Sequence, residues 1–118
     1  MRFTLHAFVM TTQRSSPLLV LTTVAKKSDA ASLARRLVSE KLAACVTTLP
    51  AAKSCYVWKN KLCSETEFLL VIKTLTRHFP RLEKRLREIH PYECPEILGL
   101  PASRVSRTYL AWLRQAID

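Results

Sequence analysis

The chain has 118 residues, 48% of them hydrophobic and 24% charged, which sets the expectation of one compact domain and excludes disordered and fibrous classes. Its single glycine, Gly99, excludes Walker-type phosphate loops, dinucleotide fingerprints and nucleophile elbows, all of which need glycine where backbone turns sharply or wraps a phosphate. The formal net charge of +10 raises nucleic acid as a partner, but the bases are scattered and interleaved with Glu40, Glu83 and Glu88, so a solvated basic surface is the simpler reading.

Residues 1–17 read as a flexible tail. They carry Arg2, Arg14 and a short apolar stretch from Leu5 to Met10, without a convincing signal-peptide core or cleavage site. No acidic residue precedes Asp29, a bias shared with targeting segments, and Met10 offers a second start. No run reaches the ~20 apolar residues of a membrane span, so the expectation is a cytoplasmic chain with no membrane partner. Cysteines 45, 55, 63 and 94 form no CxxC pair and have no zinc-finger spacing, in keeping with a reducing compartment.

The domain is expected over 18–118. Leu18 to Val24 is continuously apolar and β-branched, as in a central strand buried on both faces. Ser28 or Asp29 then caps a helix whose Leu33, Ala34, Leu37, Val38 and Leu42 recur at helical spacing. Ala44 to Leu49 reads as a strand stopped by Pro50, and Ser54 to Trp58 as another, with Tyr56 and Trp58 on one face. After the turn Lys59-Asn60-Lys61 comes a second buried strand, Thr66 to Thr74. Thr76 caps a helix through His90 with a stripe of Phe79, Leu82, Leu86 and Ile89. Glu96 to Leu100 is a short strand, and Ser106 caps a last helix carrying Tyr109, Leu110, Trp112, Leu113 and Ile117.

That order, with long helices after the two most apolar strands, is an α+β plait: a ferredoxin-like βαββαβ sandwich with an extended middle hairpin and an extra C-terminal helix. Open sheet edges in such a plait are hazards that pairing with other copies removes, so a closed homo-oligomer is expected.

Five segments together resemble the successive signatures of the CutA divalent-cation tolerance family: Lys41 to Val46, Ser54 to Trp58, Ile72 to Thr74, His90 to Ile97, and Tyr109 to Leu113. The resemblance spans about residues 18 to 118. It implies a ferredoxin-like homotrimer related in architecture to the PII signalling proteins, with a role in divalent-cation tolerance or copper binding. The residues suggest no nucleophile-base-orienter arrangement, so no enzymatic activity is expected. The ligands suggested for the family are a cysteine near the end of the first strand and a histidine pair before Pro-Tyr. Here those positions hold Thr22 and Ile89, leaving His90 alone.

For copper or another divalent ion the candidate ligands are His90, Cys45, Glu93 and Cys94, because imidazole, thiolate and carboxylate are the donors these metals take. No organic cofactor is expected. Each has an ordinary reading beside it: Cys45 as a small buried hydrophobe, and His90 as a complement to a helix C-terminus. Lys73, inside an apolar strand, calls for a partner such as Glu93. With Tyr92, Tyr56 and Trp58 it marks a cleft or interface. A second reading is a PII-like sensor or interaction module, in which Lys73, Tyr92, Glu93 and nearby bases hold an anionic small molecule between subunits. An unknown partner protein stays open. No segment carries the aromatic pattern of RNA-recognition plaits, so nucleic acid is not expected.

Overall fold

The computed structural model describes residues 16–118, so the tail expected over 1–17 lies, except for Ser16 and Pro17, outside the described residues. Four strands and three α-helices follow in the order β1 (Pro17–Val24), α1 (Lys27–Ser39), β2 (Cys45–Trp58), β3 (Lys61–Leu75), α2 (Phe79–Ile89), β4 (Leu98–Pro101) and α3 (Arg107–Ile117). A short 3₁₀ turn, Thr76–His78, leads into α2. The sheet order is β2-β3-β1-β4 and every neighbouring pair is antiparallel. β1 and β2 therefore run parallel with β3 between them, the split βαβ arrangement of the ferredoxin-like plait.

The core lies on one face of the sheet. Leu18, Val20 and Val24 of β1 and Leu70 and Ile72 of β3 meet Ala30, Leu33 and Leu37 of α1 and Leu82 and Leu86 of α2. Strict alternation, not burial on both faces, runs along β1: Leu18, Val20, Thr22 and Val24 are buried, whereas Leu19, Leu21 and Thr23 are half-buried. The apolar runs at 18–24 and 68–72 are continuous because the second face is apolar as well. Leu19, Leu21, Leu49, Leu69, Val71, Leu98 and Leu100 share it by register. α3 covers only one end of that face, through Leu113 and Ile117 against Ala44 and Leu75.

Pro50 does not stop a strand. β2 runs on through it, with a register shift between Leu49 and Ala52 and Ala51 at φ 60°. β2 pairs on one side only, where a missing N–H is tolerated, and the bulge absorbs the irregularity. β2 and β3 together form a long arm that stretches the molecule to 60 × 27 × 26 Å. Lys59 and Asn60 close the arm with φ of 51° and 65°, the two positive values of a type I′ hairpin turn. A lysine in that conformation carries strain, so Lys59→Asn with Asn60→Gly is expected to raise stability by about 1 kcal/mol in denaturant unfolding.

The helix ends differ from the sequence expectation in two places. α1 starts after Lys26 with no side-chain cap, in place of Ser28 or Asp29. Thr76 spends its hydroxyl on the Ser16 carbonyl, 3.1 Å away, in place of capping α2. At the far end of α1, Lys41 at φ 59° places the Leu42 and Lys41 N–H groups on the Leu37 and Val38 carbonyls, a Schellman closure made without glycine. Ser106 does cap α3, accepting from the Tyr109 N–H at 3.3 Å.

Candidate functional site

Where β1 ends, the chain opens a cleft of about 770 Å³ between the β2–β3 arm and the segment after α2. The arm contributes Cys55, Tyr56, Trp58, Glu65 and Glu67, and the segment after α2 contributes Tyr92, Glu93, Cys94 and Glu96. Period-two alternation explains the first set except Cys55: Tyr56 and Trp58 share a face, and Glu65, opposite Ser54, lies on that same face with Glu67. Four carboxylates line the cleft and no lysine or arginine does, in a chain whose formal charge is +10.

Glu67 is the anchor of this arrangement. It is buried, at 4% exposure, and its Oε2 accepts the Tyr92 hydroxyl at 2.5 Å. A carboxylate so enclosed keeps its charge tolerable through that short, charge-assisted bond. Burial, and next the bond to Glu67, push the Tyr92 phenol far above its ordinary range, so it stays protonated and keeps donating.

Just behind the cleft, His90 closes α2. Its Nε2 lies 3.0 Å from the Thr23 carbonyl and 3.1 Å from the Thr22 hydroxyl, while its Nδ1 accepts the Tyr92 N–H at 3.0 Å. Nδ1 accepting fixes the proton on Nε2, which then donates to the Thr23 carbonyl; the ring is the neutral tautomer with both nitrogens in use. Burial lowers its pKa, opposed by the bond to Thr23. The His90 ring also packs at a tilt on Tyr92, 4.9 Å between centroids. His90 is thus the latch that ties the cleft segment to β1.

Cys45 and Lys73 are elsewhere. They face each other across β2 and β3, on the sheet face opposite to buried Thr22, and four rows from Thr23, a separation along the strand of roughly 13 Å. Lys73 donates to Cys45 Sγ, 3.7 Å away, and to the Thr47 hydroxyl, not to Glu93. Of the sequence candidates, Tyr56, Trp58, Tyr92, Glu93 and Cys94 come together in the cleft, while Cys45, Lys73 and the His90 ring do not line it. The copper or divalent-ion set His90, Cys45, Glu93 and Cys94 therefore does not fit one metal centre in a single chain. Among the described residues no three His, Cys, Asp or Glu side chains group as a metal site requires. The anion reading loses Lys73 for the same reason. Sequence reasoning passed over Glu65, Glu67 and Glu96. The spacing of Glu65 and Glu67 just before an apolar run was the available signal, since it puts two carboxylates on one strand face.

No helix among the described residues is long and apolar enough to cross a membrane. Residues 18–116 match the family described as CutA1 divalent ion tolerance protein. The divalent-cation tolerance protein CutA of Thermus thermophilus is 44% identical over 96 residues, covering 81% of this chain and 93% of its own. That of Yersinia pestis is 41% identical over 103 residues, 87% of each. Among solved structures, CutA from Xylella fastidiosa superposes with a TM-score of 0.85 at 38% identity, covering 88% of this chain and all of its own. CutA1 from Oryza sativa gives 0.85 at 34%, covering 90% and 97%. With strand order, register and signature segments all in agreement, the chain belongs to the CutA1 divalent ion tolerance protein family.

Proposed function

We propose that the protein serves divalent-cation tolerance as a non-enzymatic homotrimer, and that copper or another divalent ion meets it at the carboxylate-lined cleft. The observation that carries this reading is the concentration of Glu65, Glu67, Glu93 and Glu96 in one cleft with no base among its lining residues, on an otherwise basic chain. Negative charges gathered against a low-dielectric wall raise the local cation concentration without a closed coordination shell. Cys94, in the segment after α2, adds a softer donor for copper. Homotrimer formation is supported by the apolar second face of the sheet, left half-open in the single chain, where Leu98 and Leu100 are 55% and 44% exposed.

Calorimetric titration of copper and zinc into reduced protein tests the site. Glu93→Gln with Glu96→Gln is expected to weaken binding about tenfold, and Cys94→Ser to weaken copper more than zinc, whereas Cys45→Ser leaves both unchanged. Absence of binding at millimolar ion, or loss of binding in Cys45→Ser alone, would remove the cleft from the function.

A further inference from the structure

One cluster of reactive side chains lies outside the cleft: Cys45, Thr47 and Lys73, at the base of the β2–β3 arm beside α3. Cys45 and Lys73 are direct partners in the antiparallel register, so the backbone ladder holds their side chains side by side. The Lys73 ammonium lies 3.7 Å from Cys45 Sγ and also donates to the Thr47 hydroxyl, two residues along the same strand and on the same face. Both Cys45 and Lys73 are half-buried. Neither is used by the cleft, and Lys73 has this thiol and hydroxyl in place of the carboxylate that a strand lysine ordinarily finds.

The other thiols are placed differently. Cys55 and Cys94 are exposed, and Cys63 donates to the Lys61 backbone carbonyl at 3.6 Å. Cys55 and Cys63 also cannot pair across the arm: Cys55 is opposite Ser64 and Cys63 opposite Tyr56, so their side chains leave opposite faces. Among the described cysteines, Cys45 is the one in contact with an amine.

From this juxtaposition we propose that Cys45 and Lys73 form a reversible oxidative cross-link, a sulfenamide, when the protein meets a peroxide. In the first step the Cys45 sulfur attacks hydrogen peroxide. The O–O bond breaks, sulfur loses two electrons and becomes sulfenic acid, and the peroxide leaves as water. In the second, Lys73 Nζ releases one proton to solvent and attacks that sulfur. The S–O bond breaks, an S–N bond forms, and the departing hydroxyl takes a second proton from nitrogen and leaves as a second water. The net change in the protein is the loss of two hydrogens together with the ammonium charge. Thiol reductant returns Cys45 to the thiol and Lys73 to the amine, becoming disulfide itself. The geometry favours this over sulfenic acid persisting, because the nucleophile already touches the sulfur and its four-carbon stem closes the remaining gap by rotation alone. The cross-link would rivet the edge strand β2 to β3 where the arm leaves the body of the molecule.

The test uses the full chain with Cys55, Cys63 and Cys94 changed to Ser, exposed to equimolar hydrogen peroxide. Its mass is read intact and after proteolysis. The expected result is the loss of two hydrogens, one linked pair of peptides carrying Cys45 and Lys73, and reversal by dithiothreitol. With Lys73→Met, oxidation is expected to stop at a species that has gained one oxygen and reacts with dimedone. A dimedone-reactive Cys45 with Lys73 present and no linked peptides overturns the proposal. So does a Cys45 that peroxide leaves unchanged.

Discussion

Replacing Leu21 with glutamate is expected to turn the proposed trimer into single chains. Leu21 occupies the middle of the sheet's second face, flanked by Val71 on β3 and Leu98 on β4, with Leu19, Leu69 and Leu100 around it. It points away from the core formed with α1 and α2 and is half-buried in the isolated chain, so a single subunit loses little when it changes. In a trimer closed over that face, the same carboxylate would enter an apolar interface without a partner. Such burial costs several kcal/mol per subunit, and about 4 kcal/mol already corresponds to roughly a thousandfold in association. Sedimentation equilibrium should read three times the 13.5 kDa chain mass for the native protein and 13.5 kDa for the variant. Arg81→Glu, on exposed α2 surface, serves as the control for added charge and should stay assembled. A native protein that sediments as a monomer, or a Leu21→Glu variant of unchanged mass, would refute assembly through this face.

The same face explains where sequence reasoning succeeded and where it stopped. Leu18 to Val24 and Phe68 to Ile72 were readable as strands because uninterrupted apolar runs bounded by polar residues have few other homes. They read as buried on both sides because the sequence does not separate a face covered by helices from an apolar face that the single chain leaves half-open. Pro50 looked like a strand end, since proline removes a ladder donor. That cost vanishes on an edge strand at a bulge, and edge position is a tertiary fact that no local pattern carries. Caps were legible only where one residue dominated, as at Ser106.

The site was legible in part, for a reason of parity. Tyr92, Glu93 and Cys94 are neighbours in sequence, and Tyr56 and Trp58 are two apart on a strand, so each group was bound to stay together. Whether the groups met depended on the length of the arm and the path after α2. Cys45 and His90 needed more still. Their separation follows from the strand pairing, since Cys45 shares a row with Lys73 and Leu19 on the open face, three rows from Thr22, which His90 binds on the core face. A one-residue slip would change the face but leave most of the distance along the strand, and nothing short of the strand pairing reveals either.

Of the substitutions in a single subunit, His90→Ala should be the most damaging near the site. The ring is buried, at 8% exposure, and its removal strands the Thr23 carbonyl and the Tyr92 N–H while leaving a cavity where imidazole stood. Unmade buried bonds cost about 1–3 kcal/mol each, so a loss of about 2–4 kcal/mol is expected, read as a lower denaturant midpoint. The pH dependence distinguishes this latch from simple packing. Burial lowers the folded pKa of His90 below its ordinary value, so on acidification the unfolded chain takes up this proton before the folded one does. More protons bound in the unfolded state means that stability rises with pH. The contribution of His90 is therefore full above about pH 7.5 and falls away as the pH drops through about 6.5. Protonation would also force Nδ1 to carry hydrogen, against the Tyr92 N–H that now donates to it. Unfolding midpoints measured between about pH 5 and about pH 8 should thus decline on the acid side more steeply in the native protein than in His90→Ala, with the two curves converging as pH falls. Parallel curves across that range would mean that the ring does not act as a neutral latch.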